Sequence, residues 1–457
     1  MLTRRRGLML AASAVPFAGA AAQNGEAAVR ELLTRRVEVD RDSVGYVAAM
    51  VDADGVRLLT AGRSDAEDGR PLDGDSVFEI GSITKVFTAL LLADMVGRGE
   101  VALGDPVAKY LPAEGRPLMF DGKAISLLDL VTYTSGLPRM PGNFRPKDPA
   151  NPYADYTVEQ LYAALSGAAP LYYPGSHYEY ANLGFGLLGH ALALRAGRSF
   201  EELVVERICA PLGLDDTRIT LTPSMRQRFV PAHDAGLAKV PHWDIPTLAG
   251  AGALRSTAND LLRLLDACQG RRETKLAPAF ARLLDVRRQA DAPQNYVGAG
   301  WFLRMQHDDE IVWKDGGTGG HATFIGYSKR SGHAAVLLAN AASYTTTTQI
   351  GWHLVNPAFA LPGSREQVVV APEKLAGLAG RYPITRRFVL TVTPRDGRLM
   401  VQATGQAEYE VFAESETRFF YRVVDAQLDF ELGEDGVAKA VVLHQNGRDM
   451  RAVRAPQ

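Results

Sequence analysis

The stretch that decides the fold is FEIGSITKVFTALLLADMVG at residues 78–97. Between residues 86 and 96 only two side chains are polar. A helix that is apolar on nearly all sides is buried inside its protein. The pattern therefore predicts a central helix, with Ser82 in its first turn and Lys85 on the same face one turn later.

Strands are predicted on both sides of this helix, at opposite ends of the chain. Residues 44–62 form two apolar runs around Asp52-Ala53-Asp54-Gly55, a turn composition that favours a β-hairpin. Three later β-rich runs predict consecutive antiparallel strands. A sheet made from both chain ends, with helices inserted between them, is α+β and not a doubly wound parallel fold. The late strands are expected at 311–313, 323–327 and 334–339, and further helices at 127–133, 183–195 and 199–208.

The composition changes past Leu361-Pro362-Gly363-Ser364. Short alternating runs separated by turn residues follow, and they are typical of a small all-β domain. We expect an α+β domain at 23–360, with an antiparallel sheet flanked by helices plus a helical subdomain. A β-barrel-like or β-sandwich domain is expected at 361–457. The β runs lie at 388–392, 399–402, 419–424, 428–432 and 441–444.

The first 22 residues predict export. Three arginines at 4–6 precede an uncharged stretch that ends in small residues before Gln23, which is typical of a cleaved signal peptide. Periplasmic or secreted location follows, and the twin-arginine and general export routes both stay open. No integral membrane segment is expected after cleavage. The chain has 50 Lys and Arg against 52 Asp and Glu, so it has no excess of positive charge that would attract a phosphate backbone. Nucleic acid is therefore not an expected partner.

Ser82 and Lys85 are the first candidate catalytic pair. A serine hydroxyl needs an adjacent base, and lysine serves only when burial or another cation lowers its pKa. Tyr180 precedes a predicted helix in the run Tyr180-Ala181-Asn182, and it can carry a proton if ammonium groups such as Lys314 lie close. Taken singly, a helix cap and a packed tyrosine explain these patterns as well.

Residues 314–320 form the third candidate segment, Lys314-Asp315-Gly316-Gly317-Thr318-Gly319-Gly320, which joins two of the late strands. A lysine beside unshielded backbone N–H groups suits a carboxylate site and an oxyanion hole. The alternative is a glycine-rich hairpin turn.

Together, in this order, the three segments resemble the class C β-lactamases and the related penicillin-recognising D,D-peptidases and esterases. The likeness runs from about residue 27 to 355 and includes Tyr133-Thr134-Ser135-Gly136-Leu137-Pro138. The tail is similar to a β-domain often appended to such serine hydrolases. This resemblance implies an acyl-enzyme on Ser82, with Lys85 and Tyr180 managing the proton.

The resemblance also implies the substrate-binding residues. Asn182 would orient Lys85 and the substrate amide, and the N–H groups of Ser82 and Gly317 would form the oxyanion hole. Lys314, Asp315 and Gly316 would line the substrate strand. The implied substrates are β-lactams or peptides of the D-Ala-D-Ala type from peptidoglycan.

Two departures from the family pattern bear on the substrate. Asp315 replaces a threonine that contacts the substrate carboxylate, and Arg139-Met140 stands where lactamases carry a glutamine. Asn143 is a possible substitute for that glutamine. These departures leave two alternatives open, namely a carboxylesterase for small acyl esters and a non-catalytic secreted binding protein on the same scaffold.

No cofactor is expected, because the chain has no zinc-binding cluster and no nucleotide-binding glycine motif. For His233 and His242, with Asp234 and Asp244, the alternatives are a site and loop surface, and loop surface is favoured. His321 is expected to line the cleft. Cys209 and Cys268 allow at most one disulfide and are interpreted as buried thiols. The oligomeric state stays open.

Overall fold

The computed structural model describes residues 25–456, apart from 54, 118, 168, 307, 364, 366, 387, 446 and 447. The predicted signal peptide at 1–22 lies outside the described residues. None of the helices within that described range is long and apolar enough to cross a bilayer.

Two eight-stranded sheets form the framework of the molecule. The first is built from strands near both ends of the N-terminal part of the chain (residues 25–360), in the order β2-β1-β12-β11-β10-β9-β8-β7. Two small two-stranded sheets pair β3 with β6 and β4 with β5. The strands are β1 Gly45–Asp52, β2 Gly55–Gly62, β3 Phe78–Glu79, β4 Ala232–His233, β5 Lys239–Val240, β6 Arg255–Ser256, β7 Arg288–Gln289, β8 Asn295–Val297, β9 Phe302–Gln306, β10 Asp309–Gly317, β11 Ala322–Ser328 and β12 Ala334–Ala339.

Helices surround the first sheet and fill the middle of the chain. The α-helices are α1 Glu26–Glu38, α2 Thr84–Gly97, α3 Leu127–Val131, α4 Val158–Gly167, α5 Asn182–Ala196, α6 Phe200–Val204, α7 Ala210–Leu212, α8 Pro223–Arg228, α9 Ala249–Gly252, α10 Ala258–Cys268, α11 Ala277–Asp285, α12 Tyr344–Val355 and α13 Pro372–Leu378. A π-turn at Val205–Cys209 joins α6 to α7, and 3₁₀ turns occur at Gly81–Ile83, Val107–Tyr110 and Ala113–Gly115.

The central helix α2 is buried along almost its whole length, as its composition predicts. Ser82 lies in the 3₁₀ turn Gly81–Ile83 immediately before it. Gly81 has a φ of +48°, and a Cβ there would lie 2.5 Å from the backbone nitrogen of Gly317. Glycine is therefore needed where the turn bends sharply against β10.

The predicted α+β architecture is confirmed, with the N-terminal hairpin β1-β2 paired to β12 in one antiparallel sheet. The segment 314–320 differs in detail from the expectation. Its first four residues belong to β10 and pair with β11, and only the next residues form the connection. Within β10, Lys314 is fully buried and Asp315 is partly exposed.

The second sheet forms the predicted all-β domain. Each strand pairs antiparallel with the next, and Ala455 N donates to Arg381 O at 2.8 Å, which brings the two edges together. The sequence pattern located five of these strands and missed β13, β16 and β20. The strands are β13 Gly380–Pro383, β14 Val389–Arg395, β15 Arg398–Ala403, β16 Glu408–Ala413, β17 Arg418–Tyr421, β18 Ala426–Leu432, β19 Ala438–Gln445 and β20 Arg448–Val453.

Arg422 fastens the second sheet to the rest of the chain. Its buried guanidinium donates to Ala235 O at 2.9 Å and to Asp40 O at 3.0 Å. It also lies 4.0 Å from the ring centroid of Phe412. The β-domain is thus held in a defined position against the N-terminal part of the chain.

Candidate active site

Ser82 Oγ lies between two proton carriers. Lys85 Nζ donates to it from 2.8 Å, and Tyr180 Oη lies 2.7 Å away. Lys85 Nζ also donates to Asn182 Oδ1 at 3.0 Å and to Ala251 O at 2.6 Å. These three acceptors match the three protons of an ammonium group. Three segments therefore meet around the Ser82 hydroxyl, namely the turn before α2, the loop before α5 and the start of α5.

Burial gives Lys85 an unusual acidity. Removal from water lowers the pKa of its ammonium group to about 8, and the positive charge of Lys314 acts in the same direction, while Tyr180 opposes both. A lysine with this pKa exchanges a proton near neutral pH.

Tyr180 is tuned in the opposite sense to most buried tyrosines. Burial by itself would raise the pKa of the phenol, but the ammonium groups of Lys314 and Lys85 outweigh it and lower the pKa to about 8. The two nitrogen atoms lie 5.2 Å and 5.0 Å from the ring centroid. Tyr133 stacks on the ring at 5.0 Å and fixes its plane.

Lys314 is a buried cation with partners of its own. Its Nζ lies 3.0 Å from Asp315 Oδ1 and 4.4 Å from the ring centroid of Phe302. Burial alone would lower the pKa of Lys314, but Tyr180 and Asp315 raise it above the ordinary value. Its side chain is only 1% exposed, whereas Asp315 faces the cavity. A substrate carboxylate would therefore meet the carboxylate of Asp315 before it reached Lys314.

The glycines at 316–320 serve close packing within the protein. A Cβ at Gly316 would strike the carbonyl oxygen of Ile80, and one at Gly317 would lie 2.7 Å from the ring of Tyr344. Gly319 and Gly320 are approached in the same way by other parts of the chain. The bare backbone thus lets the turn Gly81–Ile83 and β10 touch, while Gly316 and Gly317 still line the cavity.

A buried carboxylate supports the turn from behind. Glu79 accepts hydrogen bonds from Thr318 Oγ1 at 2.6 Å and from Trp243 N at 2.7 Å. Burial opposes its ionisation, but His321, the bond from Thr318 and the charge of Arg255 lower the pKa of Glu79 below its usual range. His321 is fully buried beside Glu79, with its Nε2 bonded to Val230 O. The expectation that His321 lines the cleft is therefore wrong.

Ser82 opens into a cavity of about 420 Å³. Much of its wall is aromatic, a feature that the sequence interpretation missed. Five aromatic residues join Tyr180 in this wall. Four of them come from separate loops and elements of the N-terminal part of the chain, and the fifth comes from β16 of the second sheet. Local sequence carries no signal for that fifth residue, because nothing near it marks it as part of a site. Besides Tyr180, the aromatic residues of the wall are Tyr153, Trp243, Phe302, Tyr344 and Tyr409.

The segment after Pro138 is only partly as expected. Arg139 lines the cavity, with its guanidinium 5.1 Å from the ring centroid of Tyr180. Asn143 does not substitute for the missing glutamine, because its amide donates to Gln160 O at 2.8 Å and accepts from Tyr156 Oη at 3.0 Å.

The remaining candidates lie away from this chemistry. His233 is fully buried and bonds Asn340 O at 2.9 Å, so its interpretation as loop surface is wrong, whereas His242 and Asp244 are half-exposed. Over the described ranges, no group of three or more His, Cys, Asp or Glu side chains could hold a metal ion. Cys209 and Cys268 are both free thiols.

Comparisons with known proteins cover nearly the whole chain. Residues 26–358 match the family model Beta-lactamase, and residues 364–454 match a domain of unknown function, DUF3471.

Two relatives and one solved structure illustrate the similarity. D-alanyl-D-alanine-carboxypeptidase/endopeptidase AmpH of Escherichia coli (strain K12) is 31% identical, over 65% of this chain and 79% of its own. Esterase EstB of Burkholderia gladioli is 28% identical, over 66% of this chain and 87% of its own. The octameric penicillin-binding protein homologue from Pyrococcus abyssi superposes with a TM-score of 0.63 at 20% identity, covering 94% of this chain and all 100% of that one.

Proposed function

The chain belongs to the Beta-lactamase family and is a serine hydrolase, and we propose that it is exported and acts through an acyl-enzyme on Ser82. The hydroxyl of Ser82, held within 2.8 Å of both Lys85 Nζ and Tyr180 Oη, is the observation that carries this proposal. Export is supported by the arginines and uncharged stretch at 1–22. We propose domains at 23–360 and 361–457 for the mature protein.

Acylation begins when Ser82 Oγ attacks the carbonyl carbon of the substrate. The serine proton passes to Tyr180 Oη or Lys85 Nζ, and the same proton then goes to the leaving amine or alcohol as its bond to the carbonyl carbon breaks. Asn182 holds the ammonium of Lys85 in place. The backbone N–H groups of Ser82 and Gly317 carry the oxyanion, and loss of one such donor typically costs about 3 kcal/mol of transition-state stabilisation.

Deacylation repeats the sequence with water as the nucleophile. Water gives its proton to the same pair, its oxygen bonds to the acyl carbon, and Ser82 Oγ leaves with a proton. The pair is suited to both directions, because pKa values near 8 make the gain and the loss of a proton similarly easy near neutral pH.

The first substrate candidate is a peptide of the D-Ala-D-Ala type or a β-lactam. The similarity to the E. coli carboxypeptidase/endopeptidase supports it. Lys314, Asp315, Gly316 and Gly317 would bind the substrate along the edge of β10.

A second candidate, hydrolysis of small acyl esters, is favoured by a specific observation. Lys314 is paired with Asp315 at 3.0 Å, so a substrate carboxylate meets negative charge at the place where it would bind. An ester has no carboxylate and avoids this repulsion. The similarity to an esterase supports the same candidate.

The test compares Ser82→Ala with Ser176→Ala, which changes an exposed serine whose hydroxyl donates to Tyr173 O. D-Ala release, cephalosporin hydrolysis and acetyl-ester hydrolysis are measured side by side, with fluorophosphonate labelling followed by intact mass. We expect Ser82→Ala to lose label and to reduce turnover by roughly 10³-fold or more, with an unchanged melting temperature. Ser176→Ala should match the wild type.

Labelling of Ser82→Ala, or turnover above a few per cent, would refute the nucleophile assignment. A wild-type protein that neither labels nor turns over any of the three substrates would favour the non-catalytic binding protein instead.

A further inference from the structure

A second cavity of about 290 Å³ adjoins the catalytic one. Arg139, Tyr344 and Tyr409 line both. Because three side chains are shared, the two spaces are neighbours. The second cavity lies on the β-domain side of the catalytic cavity, since most of its lining belongs to that domain.

The far wall of the second cavity belongs to the inner face of the β-domain. Leu390, Val401 and Leu443 line it, and all three are core residues of that domain. The cavity is thus an opening into an apolar core. An apolar group that covers this wall removes apolar surface from water and is therefore favoured there.

Tyr409 shows where the core is open. It pairs with Val401 across β15 and β16, so both side chains project from the same face of the sheet. Val401 is 1% exposed, whereas Tyr409 is 37% exposed. An exposed residue on an inner face means that the core is uncovered at this end, and the lining of both cavities by Tyr409 shows that this end faces the catalytic site.

We propose that this second cavity binds the apolar acyl chain of the substrate while its carbonyl carbon lies at Ser82. The inference rests on the proposed acyl-enzyme and names its substrate class as acyl compounds with an extended apolar chain. The acyl side is chosen because the acyl group stays bound until water releases it, whereas the leaving group must depart first. The β-domain would then select the substrate without touching the reacting atoms.

The kinetic test uses p-nitrophenyl esters from acetyl to octanoyl. Each added methylene that enters the cavity should raise kcat/KM by roughly two- to fourfold until the space is filled, and octanoyl should exceed acetyl by at least tenfold. A flat or falling series would overturn the inference.

Variants locate the effect in the β-domain. Ala403 lines the second cavity, and Ala403→Phe should reduce the octanoyl-to-acetyl ratio of kcat/KM by at least tenfold. Gln402→Phe is the matched control, because it adds the same ring one position away on the exposed face of β15. It should keep the wild-type ratio. If Ala403→Phe does not fold, Ala407→Phe replaces it in the test, because Ala407 lines the same cavity from an exposed position. It should reduce the same ratio.

A binding measurement separates this inference from the proposed function. In Ser82→Ala, p-nitrophenyl octanoate should bind at least tenfold more tightly than the acetate, and Ala403→Phe added to this variant should remove the difference. Equal binding of the two esters would overturn the acyl-chain site even if Ser82 is the nucleophile. A Ser82→Ala protein that no longer takes the fluorophosphonate label but still binds the octanoate more tightly than the acetate would support the acyl-chain site.

Discussion

In the proposed mechanism, Ser82, Lys85 and Tyr180 exchange protons. Two charges that do not contact Ser82 influence this exchange by changing the pKa of Tyr180. When Lys85 is an ammonium group, it donates to Ser82 Oγ, and the serine proton is then free to point at Tyr180 Oη. Phenolate on Tyr180 would accept it. The charge on Lys314 stabilises that phenolate, whereas Asp315 destabilises it.

Adjacent substitutions should therefore move the pH profile in opposite directions. Lys314→Met removes a charge that lowers the pKa of Tyr180, so the rising limb of kcat/KM should move to higher pH by about one unit or more. Asp315→Asn removes a charge that raises the same pKa, so the limb should move to lower pH. Profiles from pH 5 to 10 with a neutral ester measure both.

Glu159→Gln, which neutralises an exposed carboxylate on α4, is the control and should leave the profile in place. Shifts of the same sign in Lys314→Met and Asp315→Asn would show that neither charge acts through Tyr180.

At the scale of elements, the contact between β10 and the turn before α2 determines where Ser82, the proposed nucleophile, lies. Gly316 packs against the carbonyl oxygen of Ile80, and Thr323 Oγ1 donates to that same oxygen at 3.1 Å. Strand and turn are in backbone contact, so Ser82 is held relative to Gly317 without an intervening side chain.

Gly316→Ala should separate these elements, because its Cβ would overlap the Ile80 carbonyl. A displaced nucleophile of about 1 Å typically costs on the order of 100-fold in rate. Overpacking should also lower the unfolding free energy by about 1 to 3 kcal/mol. Ester turnover and thermal unfolding measure the two effects.

Gly104→Ala provides the comparison, because a Cβ there meets nothing within 4 Å and its backbone is not left-handed. It should be active and stable. Full activity in Gly316→Ala would show that the turn and the strand are not coupled in this way.

At the scale of the whole molecule, a buried arginine links the β-domain to two loops of the rest of the chain, beside a small apolar cluster that joins the same parts. Arg422 donates to carbonyls of Ala235 and Asp40 and packs against Phe412. Through this contact the β-domain keeps Tyr409 beside the catalytic cavity.

Arg422→Met should weaken this docking, because it leaves two buried carbonyl oxygens without their donor. At about 1 to 3 kcal/mol for each unsatisfied group, the variant should unfold the two domains in separate steps. Urea unfolding followed by tryptophan fluorescence and circular dichroism should give non-coincident curves.

Arg418→Met is the matched control, since Arg418 lies on β17 but is exposed and pairs only with carboxylates of its own domain. It should keep the wild-type transition. Coincident curves for Arg422→Met, at unchanged midpoint, would contradict a docking role.

Local pattern was sufficient for much of the architecture. The buried helix α2, the hairpin β1-β2 and the late strands each follow from periodicity and turn chemistry within a few residues. The order of Ser82, Tyr180 and Lys314 along the chain was likewise readable. Strands β13 and β20 were missed because glycine and proline end the first and charged residues make up half of the second, whereas β16 alternates in Glu408-Tyr409-Glu410-Val411 and was readable but not predicted.

By itself, the sequence determined the elements and the chemical types available for a site, because both depend on neighbours along the chain. Only the tertiary structure decided which side chains meet. It paired Lys314 with Asp315, buried His321 beside Glu79, occupied Asn143 with other partners and brought Tyr409 to the cavity. Apart from the sequence neighbours Lys314 and Asp315, these contacts join residues that are 13 or more positions apart, and they arise from the packing of whole elements, which no local pattern encodes.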